Sequence, residues 1–148
     1  MKSTRKSYKG FSLIEILVAI ALIVILGAIT IVAIDPAKLM AKARNATRAD
    51  ATSQLISAVN QYLAEPGHTM AGLGTMPDCN AVLPPTSVHI GTDTGLLNLT
   101  GKTDLSKIPT DPIGGTLLDT GYTICQNSPT KVKIAAPGAE LSETIVAE

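Results

Sequence analysis

The stretch "KGFSLIEILVAIALIVILGAITIVAIDP", residues 9–36, is almost entirely apolar. Four residues interrupt the apolar run between Phe11 and Ile34: Ser12, Glu15, Gly27 and Thr30. As a helix, a segment of this length extends roughly 36 Å at about 1.5 Å per residue, which is enough to cross a hydrocarbon core of about 30 Å. The sequence therefore predicts a membrane-spanning helix over residues 11–34.

The 148-residue chain has no net formal charge, but its basic residues are unevenly placed. Four of the twelve precede the apolar run: Lys2, Arg5, Lys6 and Lys9. Because basic residues favour the cytoplasmic side of a membrane, we expect the N-terminus in the cytoplasm and the later residues outside. The remainder has eight basic residues against twelve acidic ones. This balance argues against nucleic-acid binding, which needs a basic surface.

Two simpler interpretations of the apolar run are a cleaved secretory signal and a plain membrane anchor. A secretory signal has a shorter apolar region of about 7–15 residues followed by a small-residue cleavage site, and the run fits neither feature. A plain anchor leaves Glu15 unexplained, because a charged side chain in the bilayer interior costs about 2.5–3.5 kcal/mol unless it is paired. Cutting the chain before Phe11 creates a new α-amino group close to Glu15, and the amine of a neighbouring copy can neutralise that carboxylate.

The segment "KGFSLIE", residues 9–15, resembles the recognition sequence of type IV prepilins and type II secretion pseudopilins. Those proteins have a basic leader ending in glycine, an aromatic first mature residue and a glutamate at the fifth mature position. The resemblance implies that a prepilin peptidase cuts between Gly10 and Phe11 and methylates the new amine of Phe11. It also implies that Glu15 is an assembly residue and that residues 1–10 are a leader outside the mature fold.

By the same resemblance, the chain is a structural subunit that polymerises into a type IV pilus-like or type II secretion pseudopilus filament. The implied partners are further copies in a helical homopolymer, the prepilin peptidase, an inner-membrane assembly platform with ATPase-driven machinery, minor pilins or pseudopilins, and membrane lipid. The implied location is the cytoplasmic membrane, crossed once, and then an extracytoplasmic filament. No nucleic-acid partner is expected.

Three uses of such a chain stay open from the sequence: a secretion pseudopilus, a type IV pilin for adhesion, motility or DNA uptake, and a membrane-tethered binding head that never polymerises. Catalysis is not expected, because the sequence shows no phosphate-binding loop, nucleophile elbow or metal-spaced histidine pair. Asp-Thr-Gly occurs at 93–95 and 119–121, but the two copies are too close for the two lobes of an aspartic protease.

Residues 35–65 are predicted to continue the helix, with Pro36 kinking it or starting a new one. Leu55, Val59 and Tyr62 follow one another at three- and four-residue spacings and mark an apolar face. A second set is assigned to polar surface: Lys42, Arg44, Arg48 and Asp50. Pro66-Gly67 is expected to end the helix.

Residues 66–148 are predicted to form a small β-rich head. Four short runs have strand character: "TSVHI", "GYTICQ", "KVKIAA" and "ETIVA". The "QNSPT" between the second and third runs is typical of a hairpin connection. We therefore expect an α+β fold in which a small antiparallel sheet packs on the second half of the long N-terminal helix, as in pilins. Pro109, Asp111, Pro112 and Tyr122 also resemble a segment of major pseudopilins.

Three further sites are candidates. Cys79 and Cys125 can form a disulfide if the head is exported; the alternative is two free thiols. No cofactor is expected, apart from calcium, which the pseudopilin resemblance suggests and for which three residues can supply oxygen ligands: Asp104, Asp111 and Asp119. Two triplets fit the N-glycosylation sequon, which is common by chance: Asn45-Ala46-Thr47 and Asn98-Leu99-Thr100.

Overall fold

A computed structural model describes residues 10–80, 87–93, 97–100, 102–103, 105 and 107–148. The chain divides between Leu39 and Met40 into an N-terminal unit and a head. The helices are α1 (Leu13–Ala33), α2 (Pro36–Ala64) and the short α3 (Met70–Leu73). The strands are β1 (Val88–His89), β2 (Thr123–Ser128), β3 (Lys131–Ala135) and β4 (Val146–Ala147). The predicted α+β, pilin-like class is confirmed.

Helix α1 is an apolar helix that is exposed over residues 13–26 and 28–32. Ser12 caps its start, and the last turn closes where the Ile34 N–H donates to the Thr30 carbonyl at 3.1 Å. The 20 residues from Leu13 to Val32 contain no buried side chain and are long and apolar enough to cross a membrane. This exposed apolar surface needs a covering that the chain's own N-terminal unit does not supply.

Helices α1 and α2 are separated at Ile34 and Asp35. The Asp35 carboxylate accepts a hydrogen bond from the Lys38 N–H, and its carbonyl accepts one from the Leu39 N–H, both at 3.1 Å. Asp35 therefore caps a new helix, in which Pro36 occupies the first turn, where its missing N–H costs nothing. Of the two outcomes predicted for the proline, the structure shows the start of a new helix.

Helix α2 forms one side of the head and contributes residues to its core. Its buried residues recur at three- and four-residue spacings: Ala41, Asn45, Arg48, Ala51, Thr52, Leu55, Ile56, Ala58 and Val59. Leu55 and Val59 are fully buried and Tyr62 is partly buried, which confirms the predicted apolar face. The helix ends at Ala64, two residues before Pro66 of the predicted Pro66-Gly67 stop.

The sheet is antiparallel, with its strands in the order β1-β2-β3-β4. All four strands fall within the predicted runs or overlap them, and Pro129-Thr130 form the turn of the predicted β2–β3 hairpin. Ile124 lies opposite Ile134, and both side chains are fully buried. They share one apolar cluster with Leu55 and Val59 of α2, so the sheet packs on the predicted face.

Candidate functional site

The bond between Gly10 and Phe11 precedes α1 and lies outside any helix. Phe11 is 80% exposed, and a Cβ placed at Gly10 would meet no atom within 4 Å. At Gly10 and Phe11 the backbone leaves room for a peptidase to approach the scissile bond. The local structure therefore fits a cleavage site at this position.

Ser12 and Glu15 define the start of α1. The Ser12 hydroxyl accepts a hydrogen bond from the Glu15 N–H at 3.2 Å, and the Ser12 carbonyl accepts from the Ile16 N–H at 3.3 Å. These contacts satisfy backbone donors that every helix leaves open in its first turn. They fix the Glu15 backbone in that turn, four residues after Phe11 in the sequence.

The Glu15 carboxylate gains little from its own helix. An acid in the first turn is stabilised by the helix dipole by typically 0.3–1 kcal/mol at an exposed site. That gain is smaller than the cost of about 2.5–3.5 kcal/mol for placing a charge in the bilayer interior. Across the described parts of the chain, no hydrogen bond or ion pair involves this carboxylate. The described residues therefore supply no cation to this carboxylate.

The calcium candidates lie in the head. Asp111 and Asp119 line one open cavity of about 350 Å³ together with Arg48, several glycines and Thr116. Asp104 lies outside the described residues. The Asp119 carboxylate accepts from the Gly121 N–H at 2.9 Å and lies 3.2 Å from Nδ1 of His89. The hydrogen bond from Gly121 and the contact with His89 hold the pKa of Asp119 below its usual value.

Asp111 is committed to Arg48. Nε of Arg48 donates to Oδ2 of Asp111 at 2.7 Å, and Nη2 donates to Oδ1 at 3.0 Å. The Ile113 N–H donates to the same Oδ1 at 2.7 Å. Burial opposes ionisation of Asp111, but the hydrogen bonds from Arg48 and Ile113 outweigh it and hold its pKa below the usual value. The residue is thus a buried, fully paired carboxylate.

These contacts do not fit a calcium site centred on Asp111. Both carboxylate oxygens accept hydrogen bonds from a guanidinium, and a cation placed there would meet the positive charge of Arg48. Within the described ranges, no group of three histidine, cysteine, aspartate or glutamate side chains is positioned to hold a metal ion. Of the residues that line this cavity, Arg48 and Asp111 attach the loop before β2 to α2.

The buried arginine belongs to a wider polar cluster that the sequence reasoning missed. Arg48 also donates to Asn45 and to Glu140, at 2.9 and 3.1 Å. Glu140 in turn receives two hydrogen bonds of 2.7 Å from Arg44. Arg44 and Arg48 were both predicted to lie on polar surface. The prediction was wrong for Arg48, whose side chain is 1% exposed. It was only partly right for Arg44, whose side chain is 28% exposed and pairs with Glu140. The cluster joins α2 to the segment between β3 and β4.

The structure also joins Cys79 and Cys125, whose Cα atoms are 5.1 Å apart, as a disulfide. The bond attaches the segment before β1 to the central strand β2. The Cys79 N–H donates to the Gln126 carbonyl at 3.0 Å, and the Gln126 N–H donates to the Pro77 carbonyl at 2.8 Å. Backbone pairing and the covalent bond thus act on the same short segment.

Comparison with known proteins gives one match. The family model of the prokaryotic N-terminal methylation motif matches residues 5–33, which include Gly10, Phe11, Glu15 and all of α1. No curated protein and no solved structure matches the chain. The match is confined to the N-terminal segment, and none of the comparisons matches the head. This chain carries the prepilin-type cleavage and methylation signal of type IV pilins and pseudopilins.

Proposed function

We propose that the chain is a filament subunit. In this proposal, a prepilin peptidase cuts between Gly10 and Phe11 and methylates the Phe11 amine, and the mature chains then polymerise through α1. The product is a type IV pilus-like or type II secretion pseudopilus filament. The observation that supports this proposal most directly is the single acid, Glu15, at the start of an apolar helix with no buried side chain.

The exposed surface of α1 supports polymerisation. Before assembly, lipid covers the apolar side chains between Leu13 and Val32. A subunit that leaves the membrane needs a replacement for that lipid, because so much exposed apolar surface is unfavourable in water. The α1 helices of neighbouring copies have apolar surfaces, as lipid chains do, and they cover the same side chains. Helix-against-helix packing of α1 in a filament core supplies the covering.

The charge of Glu15 supports a defined register between copies. After cleavage, each mature chain carries an amine at Phe11 and a carboxylate at Glu15, four residues later in the sequence. An amine from an axially displaced copy pairs with the carboxylate and removes the cost of an isolated charge in an apolar core. A displacement that leaves both charges unpaired is strongly unfavourable, so the pair selects one packing.

The remaining parts of the proposal follow from the same signal. The head lies outside the cytoplasm, and an inner-membrane assembly platform, an ATPase and minor subunits drive extension. A secretion pseudopilus is favoured slightly over an adhesive or motility pilus, because Pro109, Asp111 and Pro112 resemble a pseudopilin segment. A membrane-tethered head that never polymerises is the competing function, and it gives Glu15 no role.

Co-expression with a prepilin peptidase and an assembly platform, followed by electron microscopy, tests the proposal. We expect filaments from the wild-type chain and none from Glu15→Gln, which keeps the size of the side chain and removes its charge. Membrane insertion of Glu15→Gln is expected to be unchanged. Glu65→Gln is the matched control, because it removes one exposed carboxylate of the head. Wild-type amounts of filament from Glu15→Gln would contradict the register role, and no filaments from the wild type would favour the tether.

A further inference from the structure

The two N-glycosylation sequons have opposite environments in the structure, and the difference points to one of them as a modification site. We propose that Asn98 is an acceptor for an N-linked glycan. The donor class is a sugar carried on a polyprenyl pyrophosphate. The proposal rests on the proposed function in one respect, namely that the head lies outside the cytoplasm, where glycans of this class are transferred.

Asn45 cannot serve as the acceptor in the folded chain. It is 3% exposed and lies within α2. Its Nδ2 donates to the Glu140 carbonyl and to the Glu143 carboxylate, each at 2.8 Å. Its Oδ1 accepts from Arg48 at 2.9 Å and from the Glu140 N–H at 3.0 Å. Every hydrogen-bonding position of this amide is therefore used inside the head, and a glycan on Nδ2 would have to displace the cluster.

Asn98 lies on an exposed face of a segment whose backbone is fixed. The Leu97 N–H donates to the His89 carbonyl at 3.0 Å, and the Gly91 N–H donates to the Leu97 carbonyl at 3.1 Å. Leu97 and Leu99 are buried, 5% and 0% exposed, whereas Asn98 and Thr100 are exposed. This alternation anchors the segment through its two leucines and presents both polar residues of the sequon to solvent.

The amide oxygen of Asn98 is held by the backbone of its own sequon. This oxygen, Oδ1, accepts a hydrogen bond from the Thr100 N–H at 2.8 Å, which forms an Asx turn across the sequon. With the carbonyl oxygen held by the backbone, Nδ2 is left as the outer atom of the side chain. Within the described residues, neither Nδ2 of Asn98 nor the Thr100 hydroxyl has a hydrogen-bond partner. Both groups that a transferase must reach are accessible on one face.

The transfer itself is balanced without any redox partner. Nδ2 of Asn98 attacks C1 of the donor sugar, a C–N bond forms, and the bond from C1 to the pyrophosphate oxygen breaks. Nδ2 loses one proton to a base on the transferase, and the polyprenyl pyrophosphate leaves with the electron pair. The chain supplies only the acceptor, so the reaction requires no catalytic residue of its own.

Two measurements on the full-length chain test the proposal. In the first, the chain is purified from the membranes of its own host and its peptides are analysed by mass spectrometry. We expect a glycan mass on the Asn98 peptide and none on the Asn45 peptide of the same molecules. The modification should be lost in Asn98→Gln and Thr100→Ala and retained in Thr100→Ser, which keeps the hydroxyl. An unmodified Asn98 peptide from chains whose heads are protease-accessible outside the cell overturns the proposal.

The second measurement uses detergent-solubilised chain, a purified single-subunit oligosaccharyltransferase and a lipid-linked oligosaccharide. The folded chain should be modified at Asn98 and not at Asn45, whereas the chain unfolded in advance should accept glycan at both sequons. Modification of Asn45 at the same rate as Asn98 in the folded chain overturns the structural argument. This assay needs neither export nor polymerisation. Asn98→Gln is expected to form filaments normally, so loss of the glycan and loss of assembly are distinguishable.

Discussion

Arg48 and Asp111, separated by 63 residues in the sequence, form a two-point ion pair inside the head, with Nε–Oδ2 and Nη2–Oδ1 distances of 2.7 and 3.0 Å. Their side chains are 1% and 5% exposed. The pair attaches the loop before β2 to the middle of α2, and Glu140 connects the same arginine to the segment after β3. The loop before β2 and the segment after β3 are thus both held by the side chain of Arg48.

Removing Arg48 should destabilise the head strongly. Arg48→Met keeps an unbranched apolar stem but removes the guanidinium, so Asp111 is left as a buried carboxylate without its charged partner. Breaking a buried pair in this way typically costs about 3–5 kcal/mol. The free energy of unfolding of the full-length chain in detergent, measured by denaturant titration with circular dichroism, checks this. Lys42→Met is the control, because it removes an exposed base from the same helix.

A second substitution distinguishes the lost pair from a general packing defect. Asp111→Asn in the Arg48→Met background removes the stranded charge and keeps an oxygen to accept the Ile113 N–H. We expect the double variant to recover part of the lost stability, because a neutral amide is cheaper to bury than a carboxylate. A double variant that is less stable than Arg48→Met alone would contradict this explanation.

The head should lose stability in acid through Glu140 and Asp111. The hydrogen bond from Arg44, aided by Arg48, lowers the pKa of Glu140 from 4.5 to about 2, and the pKa of Asp111 is also lowered. A lowered pKa in the folded state means that the contribution is complete above the ordinary pKa and is lost as the pH falls through the folded value. Stability should therefore fall between about pH 4.5 and pH 2.

Urea titrations at several pH values across this range measure the effect. Glu140→Gln should be less stable than the wild type near neutral pH, and its stability should fall less steeply in acid, because one of the carboxylates with a lowered pKa is absent. Glu148→Gln removes an exposed acid near the C-terminus and serves as the control. Parallel acid profiles for wild type and Glu140→Gln would show that Glu140 is not responsible.

Much of the fold follows from the sequence because its signals are local. The alternation of Lys131, Val132, Lys133 and Ile134 is a strand period, and β3 occupies it. The spacing of Leu55 and Val59 is a helix period, and both residues are buried in the core. The separation of α1 from α2 was only partly predictable, because Pro36 is compatible with a kink or with a new start. Asp35 decides between them by capping α2.

Arg48 was wrongly predicted to be exposed, because its charge was given more weight than its position in the helical period. It precedes Leu55 by seven residues and Val59 by eleven, so the same periodicity that identified the apolar face includes it. The sequence therefore contained the signal for the burial of Arg48, but it did not identify the partners of Arg48. Asp111 and Glu140 come from loops distant in the sequence, and no local pattern places a loop carboxylate next to a given helix position.

Reducing the Cys79–Cys125 disulfide should destabilise the head by roughly 4 kcal/mol in the loop-entropy model. The bridged residues are 46 positions apart, which makes the closed loop a large part of the head. Denaturant unfolding with and without a reductant measures the difference. The Cys79→Ser/Cys125→Ser variant should match the reduced wild type and should not respond to reductant. Equal stability of reduced and oxidised wild type would show that the bond does not constrain the unfolded chain.

Replacing Gly10 should block processing without disturbing the fold. A Cβ at Gly10 meets no atom within 4 Å, so the chain itself tolerates a larger residue. The proposed cleavage, by contrast, requires the peptidase backbone to approach the bond before Phe11 closely, and a branched side chain obstructs that approach. We expect Gly10→Val to keep its leader, whereas the wild type yields a chain that starts at Phe11 and carries one methyl group. Intact mass spectrometry after co-expression with a prepilin peptidase distinguishes the two products.

Gly27→Ala is the matched control for this experiment, because a Cβ at Gly27 also meets no atom within 4 Å. It lies inside α1, away from the scissile bond, and alanine favours a helix over glycine by roughly 1 kcal/mol. We expect Gly27→Ala to be cleaved and methylated as the wild type is. A Gly10→Val chain that starts at Phe11 and carries one methyl group would show that the peptidase does not require glycine before the cleaved bond. A wild-type chain that starts at any other residue would place the α-amine elsewhere, and the proposed pairing of this amine with Glu15 of another copy would lose its basis.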